Sequence, residues 1–128
     1  MDLVGFLLAR IAEDNALVRA VLERPGEGRV LVVDGGGDQR CAFFGGTLAA
    51  VAAASGWAGV VVNGAVRDVA EMAAQPIGVR ALAVFPRRGA RGGERGREGG
   101  PCRFAGVTFR EGERLVADAD GVVLLPAG

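Results

Sequence analysis

Arg67 and Asp68 are the residues of this sequence best placed to do chemistry, because they follow a valine-rich run that passes through Asn63-Gly64. The chain has no histidine, lysine or tyrosine, and its single serine is Ser55. A lysine Schiff base is therefore impossible, and histidine, the commonest general base and metal ligand, is missing. Chemistry has to come from carboxylates, guanidinium groups, backbone N–H groups or a bound metal ion.

The Arg67-Asp68 pair has two interpretations. An arginine can clamp a carboxylate with two parallel hydrogen bonds, and an aspartate can hold a hard divalent cation through oxygen. Glu71 stands three residues after Asp68, so a helix beginning there places both carboxylates on one face. Open α/β sheets bind ligands at such strand-to-helix turns, which favours a site. The alternative is a helix-capping Asp68, a surface ion pair made by Arg67 and a solvated Glu71, which is the commoner outcome for so short a motif.

Two glycine-rich segments are further candidates for ligand binding. Gly45-Gly46-Thr47-Leu48 opens an alanine-rich helical segment, where N–H groups favour an anion such as a carboxylate. An ordinary glycine-led helix start explains the same pattern equally well. Gly35-Gly36-Gly37 follows a strand, but Arg40 stands where the dinucleotide fingerprint needs its third glycine. This second segment therefore predicts a tight turn and no nucleotide site.

The elements that would position these residues alternate between strands and helices. Strands are predicted at 29–34, 40–44, 59–63 and within 77–85, and helices at 16–24, 47–54 and 68–74. Residues 5–12 are compatible with a helix or a buried strand, Asp14-Asn15 resemble a helix N-cap, and Gly64 is predicted to be a turn. Further strands are predicted at 102–109, 114–117 and 122–125, with turns at Glu111-Gly112 and Asp120-Gly121. This order predicts an α/β domain with a mixed sheet.

The composition predicts one domain, residues 1–128, without a membrane or nucleic-acid partner. Half of the residues are hydrophobic, fifteen basic residues balance fifteen acidic ones, and no apolar run approaches the roughly 20 residues that span a bilayer. The first residues lack the basic start of a signal peptide, so a cytoplasmic location is expected. Cys41 and Cys102 form no CxxC motif and have no histidine partner, which predicts two thiols and no zinc site. The segment 87–101 is rich in arginine and glycine, has no interleaved aromatic residue for RNA, and is predicted to be a solvated loop.

Five segments, taken in order, carry a resemblance to a known family. They are RVLVVDGGG (29–37), GWAGVVVNGAVRD (56–68), FPRRG (85–89), FAGVTF (104–109) and ADADGVV (117–123). From about Glu13 onwards the chain resembles the RraA-like family, which includes regulators of ribonuclease E activity and class II 4-hydroxy-4-methyl-2-oxoglutarate aldolases. The resemblance implies a swivelling β/β/α domain, with a mixed sheet flanked by helices, assembled as a homotrimer with pockets between subunits.

The resemblance also implies a chemistry that suits the available residues. The family's aldolases use a divalent metal, Mg²⁺ or Mn²⁺, and an arginine to stabilise the enolate of pyruvate during carbon–carbon bond cleavage. The same enolate arises when oxaloacetate loses carbon dioxide. Arg67 would bind the carboxylate and keto group of a small 2-oxo acid, and Asp68 would ligate the metal, largely through waters. The backbone of Gly45-Gly46-Thr47-Leu48 would hold the pyruvate portion.

Two departures from the family pattern change what is expected. The best-studied aldolases carry an acidic residue where Gly46 stands, so weak activity is expected, with Glu71 as a replacement acid and second metal ligand. An aspartate at position 46 is expected to be accommodated at the helix start. Family members generally have a further N-terminal segment before the part that matches Gly5, so the start of this domain is expected to be short. The alternative function implied by the family is a non-enzymatic regulator that binds an endoribonuclease.

Overall fold

The computed structural model describes the backbone of residues 2–4 and 6–10 and the whole of residues 16–87 and 96–126. The helices are α1 (Ala16–Leu22), α2 (Gly46–Ala54) and α3 (Val69–Ala73). The strands are β1 (Asp2–Val4), β2 (Phe6–Arg10), β3 (Val30–Asp34), β4 (Ala42–Phe44), β5 (Gly59–Val66), β6 (Gly78–Val84), β7 (Arg97–Glu98), β8 (Cys102–Phe104), β9 (Val107–Phe109), β10 (Arg114–Ala117) and β11 (Val122–Leu125). No helix among these residues is long and apolar enough to cross a membrane.

A six-stranded mixed sheet forms the middle of the domain. Strands β2, β3, β4, β5 and β6 are parallel to their neighbours, and β7 pairs antiparallel with β2. Strand β5 is the longest, so β3 pairs with its first part and β4 with its last part, from Ala65 to Val66. Because β4, β5 and β6 run the same way, the residues that follow Phe44, Val66 and Val84 lie at one edge of the sheet.

The alternation of side chains along β3 shows how the layers are held together. Leu31 and Val33 pack with the helices in one hydrophobic cluster. Val30 and Val32 point to the opposite face and pack with Phe109 and other residues of the smaller strands. A strand covered on both faces needs apolar residues at every position, which explains the uninterrupted run that begins β3. The result is the three-layered β/β/α arrangement that the sequence resemblance implied, with β1, β10 and β11 and the β8–β9 hairpin forming the outer β layer.

The structure describes part of the segment before α1 and part of the arginine-rich segment. The ambiguous stretch at 5–12 contains strand β2, which pairs parallel with β3. The predicted N-cap at Asp14-Asn15 and residues 88–95 lie outside the described residues. The prediction of a loop across 87–101 was wrong at Arg97–Glu98, which form β7.

Two predictions about turns were wrong. Gly64 lies inside β5, and a Cβ atom placed on it would come within 2.7 Å of the Phe43 ring. The glycine at 64 is therefore required by the packing of Phe43 and does not reverse the chain. The single strand predicted at 102–109 is a hairpin, because Ala105 and Gly106 both have positive φ angles, 53° and 78°, and form its two-residue turn.

Candidate active site

Arg67 is placed by the sheet at the start of helix α2. Its backbone N–H donates to the carbonyl of Phe44 at 3.0 Å, which ties the residue after β5 to the end of β4. A Cβ atom on Gly45 would lie 3.0 Å from Arg67 Cγ and 3.3 Å from Arg67 Nε. The side chain of Arg67 therefore passes directly over Gly45, the N-cap residue of α2.

Asp68 caps a helix other than its own. It stands at the N-cap position of α3 but makes no side-chain cap bond there. Its Oδ2 instead accepts a hydrogen bond of 3.0 Å from the backbone N–H of Gly46, the first residue of α2. The helix-capping role that the sequence also allowed for Asp68 is thus made to α2 and not to α3.

The backbone of Asp68 is in the left-handed region, with φ 62° and ψ 47°. For a residue other than glycine this conformation costs about 1–3 kcal/mol and is found most often at functional sites. Aspartate tolerates it better than most residues. The local strain turns the carboxylate toward α2 and therefore supports a role for Asp68 beyond capping.

The guanidinium of Arg67 is only weakly held by its neighbour. Arg67 Nε and Asp68 Oδ2 are 3.8 Å apart, and both side chains are roughly one-third exposed. A partly exposed ion pair at this distance contributes little to stability. Arg67 therefore keeps hydrogen-bond donors that can bind an anionic ligand.

Glu71 is the second carboxylate that reaches the start of α2. A Cβ atom on Gly46 would overlap Glu71 Oε2 and would lie 2.8 Å from Glu71 Cβ. The side chain of Glu71 makes no hydrogen bond or ion pair with the residues that the structure describes. Asp68 and Glu71 thus both reach Gly46, although Asp68 precedes α3 and is not on its face. The expectation that the helix start accommodates an aspartate at position 46 was wrong, because Glu71 already occupies that space.

The remaining residues at the start of α2 offer backbone groups only. The side chain of Leu48 is buried in the core, and Thr47 is exposed. The first intrahelical hydrogen bond runs from Ala49 N–H to the Gly45 carbonyl. The N–H groups of Thr47 and Leu48 donate to none of the described residues, so both are available to an anion at the positive end of the helix.

The carboxylates at this site fit a hard divalent cation. In the described parts of the chain, no three His, Cys, Asp or Glu residues lie close enough to form a full ligand set. Mg²⁺ commonly binds through one or two carboxylates and keeps several waters. Asp68 and Glu71 provide that number of carboxylates, and oxygen ligands suit Mg²⁺ or Mn²⁺ better than softer metals.

An exposed apolar surface beside the site was missed from the sequence. Four large hydrophobic residues of α3, β6 and the segment after it are 39–62% exposed: Val69, Leu82, Val84 and Phe85. Val69, Leu82 and Val84 line a groove of about 420 Å³ whose lining also includes Met72 and Ile77 but none of the proposed site residues. Strand β6 is half-buried or exposed along its whole length, so one side of it is open.

Comparisons with known proteins identify the family of the chain. A family model described as "RraA-like: Aldolase/RraA" matches residues 7–124. The chain belongs to the RraA-like family. It is 51% identical over 118 residues to a putative 4-hydroxy-4-methyl-2-oxoglutarate aldolase of Deinococcus radiodurans, covering 92% of this chain and 73% of that protein. It is 53% identical over 117 residues to the 4-hydroxy-4-methyl-2-oxoglutarate aldolase of Thermus thermophilus, covering 91% of this chain and 71% of that one.

A solved structure shares the fold of this RraA-like protein over almost the full length of the present chain. The RNA-processing inhibitor RraA from Thermus superposes with a TM-score of 0.91 and 50% identity, covering 98% of this chain and 77% of the other. The relatives therefore carry names from both branches that the sequence resemblance suggested, an aldolase and an inhibitor of RNA processing.

Proposed function

We propose that this RraA-like protein cleaves 4-hydroxy-4-methyl-2-oxoglutarate to pyruvate in a reaction that depends on a divalent metal, and decarboxylates oxaloacetate through the same pyruvate enolate. The observation that carries the proposal is the convergence of Arg67, Asp68 and Glu71 on the first turn of α2. The aldolase names of relatives about 50% identical to the chain support it.

Substrate binding is assigned to Arg67 and to backbone N–H groups. The guanidinium would hold the carboxylate and keto oxygen of the 2-oxo acid, with the carboxylate also facing the N–H groups of Thr47 and Leu48. The guanidinium would face the keto oxygen, on which negative charge grows as the enolate forms. Its interaction with the substrate would therefore strengthen in the transition state. The pyruvate portion would lie beside the backbone of Gly45 and Gly46, where the absence of side chains lets Arg67 and Glu71 approach it closely.

A divalent cation, Mg²⁺ or Mn²⁺, would be held by Asp68 and Glu71, in part through ordered waters. When bound, it would supply Lewis-acid stabilisation of the developing negative charge. The hydrogen bond from Gly46 N–H fixes one oxygen of Asp68, so the carboxylate is already oriented before any ligand arrives.

The two reactions differ in their need for a base. Aldol cleavage removes the proton of the 4-hydroxyl group as the bond between C3 and C4 breaks. The hydroxyl oxygen becomes the carbonyl of one pyruvate, and the electron pair of the broken bond enters the enolate, which is then protonated to a second pyruvate. Loss of carbon dioxide from oxaloacetate gives the enolate without that proton removal. Glu71 is the carboxylate available to take the proton, directly or through a water. Its position over Gly46 corresponds to the place where other aldolases of the family carry their acid.

We also propose that the protein assembles as a homotrimer, as the family resemblance implies. The exposed apolar surface formed by Val69, Leu82, Val84 and Phe85 supports an assembly, because monomeric proteins rarely leave contiguous apolar patches in water. This surface lies on α3 and β6, the elements next to the site, so a neighbouring copy seated there would help to enclose it.

Binding to an endoribonuclease is the second candidate function. The similarity to a protein described as an RNA-processing inhibitor favours it, and the same exposed apolar surface suits a protein partner. It requires neither a metal nor turnover. The two functions are therefore separated by an activity measurement.

The test is pyruvate release from each substrate, with Mg²⁺, with Mn²⁺ and with EDTA. Turnover of both substrates that EDTA abolishes is the expected result. Absence of turnover with either metal would overturn the enzymatic proposal, and a pull-down with an endoribonuclease would then test the alternative.

A further inference from the structure

Arg87 lies at the same edge of the sheet as the proposed site, and two backbone hydrogen bonds hold its segment there. Phe85 N–H donates to the Val66 carbonyl at 2.9 Å, which continues the pairing of β6 with β5. Ala42 N–H donates to the Arg87 carbonyl at 2.8 Å. The chain after β6 is therefore bound to both strands that carry the site.

The spacing places Arg87 close to Arg67. Arg67 is bonded to Phe44 and Arg87 to Ala42, which are two residues apart on β4. Two residues of a strand span roughly 6.6 Å, and neighbouring strands are roughly 4.8 Å apart. Two arginines anchored this close together can reach the two ends of one small molecule.

The charge of Arg87 is not neutralised by the nearby carboxylate. Among the described residues, Asp38 is the acidic group close to it, and the pKa of Asp38 is held at about 2, first by Arg40 and to a smaller extent by Arg87. The main cause of that low pKa is Arg40, which bonds both carboxylate oxygens of Asp38, Oδ1 at 3.0 Å and Oδ2 at 2.9 Å. The Arg87 side chain is exposed and makes no hydrogen bond or ion pair with a described residue. Arg87 therefore keeps its charge available for a ligand.

We propose that Arg87 binds the distal carboxylate of a dicarboxylic 2-oxo acid whose 2-oxo acid end is held by Arg67. This inference rests on the proposed function, since it assumes that the site binds a 2-oxo acid. The proposed preference for dicarboxylic over monocarboxylic 2-oxo acids would then depend on one exposed arginine in the segment after β6. Three carbon atoms separate the carboxyl groups of 4-hydroxy-4-methyl-2-oxoglutarate, which suits two cations on neighbouring strands.

The two reactions use this contact differently. In aldol cleavage the distal carboxylate stays charged throughout, so its contact with Arg87 is the same in the bound substrate and in the transition state. Losing such a contact raises KM and leaves kcat unchanged. In decarboxylation the distal carboxylate becomes neutral carbon dioxide, so the contact stabilises the bound substrate more than the transition state. Removing Arg87 should therefore raise both KM and kcat for oxaloacetate, an outcome that simple damage to the fold would not produce.

The test uses Arg87→Gln, with Arg103→Gln as a charge-matched control, since Arg103 is an exposed arginine that bonds Thr108 in the β8–β9 hairpin of the outer β layer. Calorimetry in Mg²⁺ would compare 2-oxoglutarate with 2-oxopentanoate, which differ only in the distal carboxylate and contain no bond that aldol cleavage can break. The wild-type protein and Arg103→Gln should bind 2-oxoglutarate about 10- to 100-fold more tightly than 2-oxopentanoate, as expected for a charge-assisted contact. In Arg87→Gln this difference should disappear, and the kinetic changes described above should follow.

The possible results separate the role of Arg87 from the proposed function. Equal binding of the two acids by the wild-type protein would overturn the role of Arg87 while leaving the proposed function intact. A preference that survives in Arg87→Gln would have the same consequence. Binding of neither acid would contradict the proposed function itself, and the role of Arg87 would fall with it.

Discussion

The surroundings of Gly46 predict how stability and activity change when the acidic residue is moved from position 71 to position 46. A Cβ atom at this position overlaps the carboxylate of Glu71 and lies 2.8 Å from Glu71 Cβ. The carboxylate can rotate away, but Glu71 Cβ is fixed by the backbone of α3. Gly46→Asp alone must therefore shift one helix relative to the other, which we expect to cost about 1–3 kcal/mol of unfolding free energy.

The double variant Gly46→Asp/Glu71→Gly removes both conflicts. Glycine at 71 has no Cβ, so the new aspartate fits, although an interior helical glycine costs about 1 kcal/mol. Glu71→Gly alone should reduce aldol cleavage by roughly 10²–10⁴-fold, the usual contribution of a general base. The same variant should reduce oxaloacetate decarboxylation less. The double variant should recover a large part of the lost aldolase activity, because it restores an acid at the start of α2.

The assay combines denaturant unfolding with initial rates of pyruvate release for the four proteins of this mutant cycle. Gly46→Ala is the control, since it introduces the same overlap without a carboxylate and should lose as much stability as Gly46→Asp. The steric argument would be refuted if Gly46→Asp were as stable as the wild-type protein and more active. If the double variant were no more active than Glu71→Gly, the idea that an acid at position 46 can replace the one at position 71 would be refuted.

Three other predictions concern the metal, the assembly and acid stability. Asp68→Asn should abolish metal-dependent turnover and leave the fold intact, because the amide oxygen can still accept the hydrogen bond from Gly46; unchanged turnover would mean that the metal binds elsewhere. Light scattering should give three times the 13.1 kDa mass of one chain, and Leu82→Glu should dissociate the assembly; a stable monomer at micromolar concentration would exclude the trimer. The pKa of Asp38 should be about 2, below its ordinary value of 3.8, mainly because Arg40 donates hydrogen bonds to its carboxylate. Its contribution to stability is therefore present above pH 3.8 and is lost as the pH falls toward 2. Arg40→Gln should raise the midpoint measured by carboxyl NMR, and a wild-type midpoint of 3.8 would contradict the contact.

The sequence was sufficient to predict the layers of the fold because the apolar pattern reports burial directly. The run from Val30 to Val33 has no polar position, which is what a strand covered on both faces requires. The placement of Arg67 and Asp68 after a buried strand likewise follows from the order of elements. Gly64 was misassigned because glycine marks both turns and close packing, and only the position of Phe43 distinguishes the two.

The details of the site could not be predicted, because they depend on contacts between distant parts of the chain. The bond from Gly46 to Asp68 joins residues 22 positions apart and requires Asp68 to adopt a left-handed backbone conformation. No propensity rule places a non-glycine residue there. The approach of Glu71 to Gly46 depends on how α3 packs against α2, which the pattern of either helix alone does not reveal.

The most direct test of the central claim is the rate of Mg²⁺-dependent pyruvate release from 4-hydroxy-4-methyl-2-oxoglutarate by the wild-type protein and by Arg67→Gln. The substitution keeps the backbone bond to Phe44 and removes only the charged donors. The account predicts that EDTA abolishes the wild-type rate and that Arg67→Gln lowers kcat/KM by roughly 10²–10³-fold, as for the loss of a donor to a developing oxyanion. A wild-type rate that is insensitive to EDTA, or a variant as active as the wild-type protein, would contradict it.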